Sequence, residues 1–188
     1  MKIEKIRRLP VIDDKGALIG IVTEKDILYA SPSAASTLDV WEMTTLLAQL
    51  KVKDVMTPNP LFCSSDTPVE DAARILSDNK IGGLPVVDDG VLTGIITESD
   101  LFRIFIELFS SQEKGLRLTV LIPDVHGELA SLAAAIRDAG GDFISLGFVR
   151  GDKPTNRMGI AKVAGLSEEE LRKTVEPLVL EIKEIREV

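Results

Sequence analysis

The chain has 188 residues, enough for one or two domains, and with 45% hydrophobic but only 4% aromatic residues its core has to be aliphatic. A net charge of −8 argues against a nucleic-acid surface, which needs clustered cations. One cysteine rules out an internal disulfide, and one cysteine with one histidine leaves too little for a zinc site, so no metal is expected.

The opening MKIEKIRRLPVID is charged and lacks the apolar run of a signal peptide. No stretch reaches the roughly 18 apolar residues of a membrane span. A cytoplasmic protein with neither a membrane nor a nucleic-acid partner is expected.

An internal repeat organises the first hundred residues. IRRLPVIDDKGALIGIVTEKDIL starts at Ile6 and IGGLPVVDDGVLTGIITESDLF at Ile81, and they align with one gap at Lys15. Each copy predicts a hairpin followed by a helix. The strands fall at residues 10–12 and 18–22, then at 85–87 and 92–96. DDKG and DDG supply the turn chemistry between them. Gly20 and Gly94 lie inside strands, which points to a bulge or a close backbone approach. Thr23 and Thr97 stand where an N-cap belongs, and Asp26 and Asp100 follow as the acidic partners of a capping box.

Between the copies, residues 31–36 form a small-residue loop. A helix is predicted over 38–50, capped by Ser36 or Thr37, with Trp41 as a core anchor. The second copy has an upstream half, residues 52–80. Its strand lies around 61–63, where Cys63 reads as a buried strand residue rather than a nucleophile. A helix follows, with Asp66 or Thr67 as cap, Pro68 at the first helical position, and Val69, Ala72, Ala73 and Leu76 inward. The first copy has only MKIEK before its repeat, as if the chain opened partway through a domain.

The combination of LPV-h-D (h, hydrophobic), G-h-h-T-x-x-D and an MTPNP opening resembles the cystathionine-β-synthase (CBS) domain family. The resemblance covers residues 52–109 as a whole domain and 5–30 as the second half of another. It implies β-α-β-β-α units that pair, with adenine-containing ligands in the clefts between them: AMP, ADP, ATP or S-adenosylmethionine, and no cofactor. The residue chemistry suits such a ligand. Asp26 and Asp100 sit in a first helical turn, where a carboxylate can accept from a ribose diol. Thr23 and Thr97 offer hydroxyls, and the helix N-termini offer amides, to a phosphate. Lys5, Arg7, Lys80 and Arg103 are nearby cations. Gly82-Gly83 and Arg7-Arg8 occupy equivalent positions, so Gly83 opens the second copy while Arg7 and Arg8 charge the first. The same Thr-x-x-Asp spacing is also accounted for by capping alone.

From residue 116 the pattern changes. A strand at 116–122 precedes PDVHGELASLAAAIRDAGG, a turn and a helix stopping at Gly140-Gly141. DFISLGFVR and NRMGIAKVA are strands, LSEEELRKTV is a helix capped by Ser167 with Glu170 as partner, and LEIKEIREV alternates as a last strand. The order is β-α-β-β-α-β, the ferredoxin-like split. Strand, Pro-Asp-x-x-Gly-x-Leu, then helix resembles the ACT domain family, which implies an amino-acid effector at Asp124, His126, Gly127, Glu128 and Leu129. That family's loop commonly reads Arg-Pro-Gly, and here it reads Val125-His126-Gly127. His126 by itself reads as an exposed loop residue.

The order of the parts resembles the acetoin utilization protein B family. The expectation is an α+β chain with half a CBS domain (1–30), a connector (31–51), a second CBS domain (52–110) and an ACT-like domain (116–188). It is expected to be a non-catalytic, ligand-sensing regulator and a homodimer, with an adenine ligand and an amino-acid effector as its small-molecule partners. The alternative is an interaction protein that uses both domain types for oligomerisation only. No P-loop, GxGxxG or cysteine–histidine pairing supports an enzyme.

Overall fold

The computed structural model describes residues 1, 3–30, 39–109 and 112–188. They fall into two compact units, Met1–Leu101 and Phe102–Val188.

In the first unit, β1 (Arg8–Ile12) and β2 (Leu18–Thr23) make the first hairpin, followed by α1 (Glu24–Ala30). The second is β4 (Gly83–Asp88) with β5 (Val91–Thr97), followed by α5 (Glu98–Leu108). The turns close differently. Asp13 accepts from the Lys15 and Ala17 amides, both at 2.9 Å. Asp89 and Gly90 take φ of +51° and +80°, the paired left-handed conformation that a tight hairpin turn requires. Both hairpins slip register at the same place, between Val11 and Ile12 and between Val86 and Val87, beside Gly20 and Gly94. The bulges expected from the glycines are therefore present in both copies. Gly20 has a second reason: a side chain there would run into Met56.

Between the hairpins lie α2 (Val40–Gln49), α3 (Val52–Val55), the two-residue strand β3 (Thr57–Pro58) and α4 (Val69–Asp78). The expected loop at 31–36 and the caps Ser36 and Thr37 lie outside the described residues. The observed cap of α2 is Asp39, which accepts from the Glu42 amide at 2.8 Å. Trp41 is not a core anchor: it is 83% exposed. None of the side chains described on α2 is buried, so there is no core for the indole to enter. Pro68 is the N-cap of α4 rather than its first residue, and neither Asp66 nor Thr67 caps it. The Thr67 hydroxyl instead accepts from the Ser64 amide at 3.1 Å.

The linking segment serves both copies. β3 pairs with β2 (Gly20 opposite Pro58, Ile21 opposite Thr57), so residues just upstream of the second copy complete the first copy's sheet. Five residues further on, Cys63 bridges Val86 of β4. The expected strand at 61–63 is reduced to this one bridge, with the Cys63 amide donating to the Pro85 carbonyl at 3.0 Å. Around it forms a small core of Cys63, Ala72, Leu76 and Leu84. Of the expected inner face of α4, Ala72 and Leu76 are buried, while Ala73 is half-buried and Val69 exposed.

The turn that closes α4 is repeated at the start of the chain. Ile81 N–H donates to the Leu76 carbonyl at 3.0 Å, with Lys80 at φ +53°. Ile6 N–H donates to the Met1 carbonyl at 3.1 Å, with Lys5 at φ +52°. Both have the six-to-one bond and the left-handed residue of a Schellman turn, with lysine where glycine is usual.

The second unit runs β6 (Leu116–Pro123), α6 (Glu128–Asp138), β7 (Asp142–Arg150), β8 (Asn156–Ala164), α7 (Glu168–Val175) and β9 (Glu181–Glu187). The antiparallel sheet has the order β7-β8-β6-β9, which is the ferredoxin-like arrangement. Leu118, Val120, Leu132, Ile136, Val163, Leu171 and Val175 form its core. Ser167 and Glu170 form the expected capping box on α7.

Candidate functional site

A cleft of about 680 Å³ opens in the first unit, within the range of roughly 300–1,000 Å³ usual for small-molecule sites. Its walls come from three places. The first copy gives Arg7, Arg8, Ile21, Thr23, Glu24 and Lys25. The linking segment gives Thr57, Asn59, Pro60 and Leu61, and the turn into β4 gives Lys80, Ile81, Gly82 and Gly83. Pairing of β3 with β2 brings the linking segment to this place, and Asn59 turns it with a left-handed φ of +48°.

Four cationic side chains and one carboxylate line the cleft, in a chain whose net charge is −8. Beside them lie Ile21, Leu61 and Ile81. A ligand with an apolar ring and an anionic end matches both parts. Lys80 reaches its position from a backbone conformation that costs a non-glycine residue about 1–2 kcal/mol.

Of the residues expected from the sequence, Arg7, Thr23, Lys80 and Gly83 line this cleft, whereas Asp26, Thr97, Asp100 and Arg103 do not. Both Thr-x-x-Asp motifs are closed on themselves. The Thr23 amide and hydroxyl each donate to Asp26 Oδ2 at 2.7 Å. The Thr97 amide and hydroxyl donate to Asp100 Oδ2 at 2.9 and 2.6 Å. Both aspartates are half-buried. The first helical amides are engaged too: Glu24 N–H donates to the Arg7 carbonyl at 2.9 Å and Glu98 N–H to the Gly82 carbonyl at 3.3 Å. An anion in this cleft would meet cationic side chains rather than these two amides.

Sequence reasoning passed over Lys25, Asn59, Leu61 and Ile81 and gave Arg8 only a general role. The alignment of Arg7-Arg8 with Gly82-Gly83 held the signal for Arg8. Nothing in the linear pattern pointed to Asn59 or Leu61, because their place depends on the β2–β3 pairing. Cys63 lies in the small core, where burial pushes its thiol above the ordinary value and leaves it a poor nucleophile.

In the second unit, the loop before α6 borders a pocket. Asp124, Val125, His126, Glu128 and Leu129 line it, over Ile122 and Phe148. Arg157 forms its wall, paired with Asp124 at 2.7 Å. Gly127, the N-cap of α6, has φ +92°, so any side chain there would be strained. His126 is exposed. The adjoining β7–β8 turn is held by Asn156, only 6% exposed, whose amide donates to Asp152 at 2.7 Å. That bond, ahead of the other influences, holds the Asp152 carboxyl below its ordinary value. Among the described residues no His, Cys, Asp or Glu side chains gather in threes as a metal site needs. No helix of the described residues is long and apolar enough to cross a membrane.

The family model for the CBS domain matches residues 1–33, which hold the first copy, and 52–107, which hold the linking segment, α4 and the second copy. A CBS domain-containing protein of Dictyostelium discoideum is 36% identical over 104 residues, covering 55% of this chain and 72% of that protein. The chloroplastic CBS domain-containing protein CBSX2 of Arabidopsis thaliana is 36% identical over 130 residues, covering 60% of this chain and 55% of its own length. Among solved structures, CBSX2 in complex with AMP aligns with a TM-score of 0.46 at 36% identity, over 57% of this chain and 78% of that one. A Vibrio cholerae protein named for acetoin utilization (AcuB) aligns with a TM-score of 0.48 at 32% identity, over 60% of this chain and 76% of that one. The family model and the Dictyostelium relative, covered over 72% of its length, show that the chain belongs to the CBS domain family.

Proposed function

We propose that the chain is a non-catalytic, ligand-sensing regulatory protein whose first-unit cleft binds an adenine nucleotide or a related adenosyl ligand. The observation that carries this is the cleft lining, which combines four cationic side chains with the aliphatic Ile21, Leu61 and Ile81. It suits a phosphate joined to a flat apolar base. Lys80 contacts the phosphate end with Arg7, Thr23 lines the cleft while its hydroxyl stays with Asp26, and Gly83 gives the ligand room. Thr97, Asp100 and Asp26 support the site through the two helix starts, and Arg103 lies further along α5.

The second unit acts as an ACT-like domain over residues 116–188. Its loop, Asp124, His126, Gly127, Glu128 and Leu129, takes an amino-acid effector, or its sheet joins two protomers. The first unit's module divides into residues 1–30 and 52–110, joined by 31–51. The protein works as a cytoplasmic homodimer, and on this reading the regulated step belongs to acetoin or acetate use. Coupling requires that the ligand bind one state of the dimer more tightly than another.

Calorimetry with AMP, ADP, ATP and S-adenosylmethionine tests the reading, with micromolar binding of at least one expected. Silence with all four, together with an unmoved melting temperature, refutes it. A second reading has one observation in its favour: the hydrogen bonds of both Thr-x-x-Asp motifs are those of ordinary caps. The protein would then serve oligomerisation alone, and light scattering would show the same dimer with and without every nucleotide.

A further inference from the structure

We propose that the cleft selects among adenine ligands by charge, and that Arg8 is the selecting residue. It favours nucleotides with a 5′-phosphate chain over adenosine and over the cationic S-adenosylmethionine. This rests on the adenine-ligand reading above and narrows it to one class.

Arg8 and Gly83 are equivalent positions in the two copies. Arg8 pairs with Thr23 across the first hairpin, and Gly83 pairs with Thr97 across the second. The copies are unequal at these two successive positions, Arg7-Arg8 against Gly82-Gly83, and the inequality has a use. The Arg8 side chain lies over the backbone of Gly82 and Gly83. A Cβ at Gly82 would sit 2.6 Å from Arg8 Nη1 and 2.7 Å from a Glu98 carboxylate oxygen. A Cβ at Gly83 would meet the Arg8 Cδ and sit 2.9 Å from Nη1. Two successive glycines are what let the guanidinium lie flat there. Any larger residue at either position would displace it.

The guanidinium is thus held half-buried on the cleft wall by shape. It keeps its charge at every physiological pH, and its planar fork suits two phosphate oxygens at once. Arg7, Lys25 and Lys80 add positive charge around it, against Glu24 alone on the lining. A phosphate chain relieves that accumulation. S-adenosylmethionine, whose sulfonium and ammonium outweigh its single carboxylate, adds to it, and adenosine leaves it uncompensated. Glu98 also lies beside Gly82, on the same small space.

Calorimetry on the full chain at low salt, with ATP, AMP, adenosine, S-adenosylmethionine and pyrophosphate, tests the proposal. The wild type should bind ATP at least ten-fold more tightly than adenosine, with S-adenosylmethionine no tighter than adenosine. Arg8→Ala should cut the ATP-to-adenosine ratio by about ten-fold, the scale of one charged hydrogen-bonded contact, and Arg8→Lys should restore part of it. Gly83→Ala should lower the ratio by displacing Arg8, and should add nothing in an Arg8→Ala background. Circular dichroism checks that each variant is folded. S-adenosylmethionine binding as tightly as ATP, or Arg8→Ala weakening ATP and adenosine equally, overturns the proposal. If the wild type binds no adenine ligand, the adenine reading fails and pyrophosphate decides: Arg8-dependent binding upholds charge selection, and no binding overturns it.

Discussion

Replacing Lys80 by glycine should make the protein more stable and a poorer ligand binder at once. Lys80 closes α4 at φ +53°, with the Ile81 amide bonded across it to the Leu76 carbonyl. A non-glycine residue pays about 1–2 kcal/mol for this conformation. Glycine removes that cost but gives the unfolded chain more freedom, which takes back about 0.4–1 kcal/mol. The balance is a gain of about 0.5–1 kcal/mol. At about 4–8 °C per kcal/mol for a unit of roughly a hundred residues, melting should rise by a few degrees. The side chain is exposed at the rim of the cleft, so losing its charge should weaken ATP binding by only about two- to five-fold, the scale of an exposed ion pair. Scanning calorimetry reads the first effect and titration calorimetry the second. Lysine at this position would then be kept for binding at the expense of stability. A variant that melts lower than the wild type, or that gains stability while binding ATP unchanged, refutes the reasoning.

Asp88 ties the linking segment to the second hairpin. The Ser65 amide, then the Thr93 hydroxyl at 2.8 Å, hold its carboxyl below the ordinary value. Its stabilising contribution is complete above the unfolded value of about 3.9 and is lost as pH falls through the lower folded value. Asp88→Asn should therefore flatten the acid side of a urea-midpoint profile, and superimposable profiles for the two proteins would rule this out. Trp41 is the single tryptophan and is 83% exposed, so dilute protein should show a water-exposed emission that acrylamide quenches freely. If the homodimer covers α2, emission shifts to the blue as concentration rises. An unshifted band where scattering reports a dimer puts the interface elsewhere.

Much of the local structure was legible in the sequence because it depends on short-range chemistry. The Asp/Gly turns, the glycines beside both bulges, and the Thr-x-x-Asp and Ser167–Glu170 boxes are each satisfied within a few residues. The repeat itself predicted two matching hairpins. Where local rules compete, the outcome was less legible. The Thr67 hydroxyl went to Ser64 rather than to the helix, and Asp39 capped α2. Trp41 shows the limit of arguing burial from size, since an indole is buried only where other elements supply a core.

By itself, then, the sequence determined two hairpin-and-helix units, a β-α-β-β-α-β unit after them, and the residue types available to a ligand. Only the tertiary structure decided which of those residues share a cleft. Thr57–Pro58 pairs with the first copy's β2 while Cys63, five residues later, bridges the second copy's β4. That crossing brings Asn59 and Leu61 to Thr23, and the turn at Lys80 completes the wall. It also brings Arg8 over Gly82 and Gly83, 74 and 75 residues away in the chain. The reason is physical. Strand pairing joins backbone groups without regard to their distance along the chain, so a linear pattern can say that a strand wants a partner but not which one it will take.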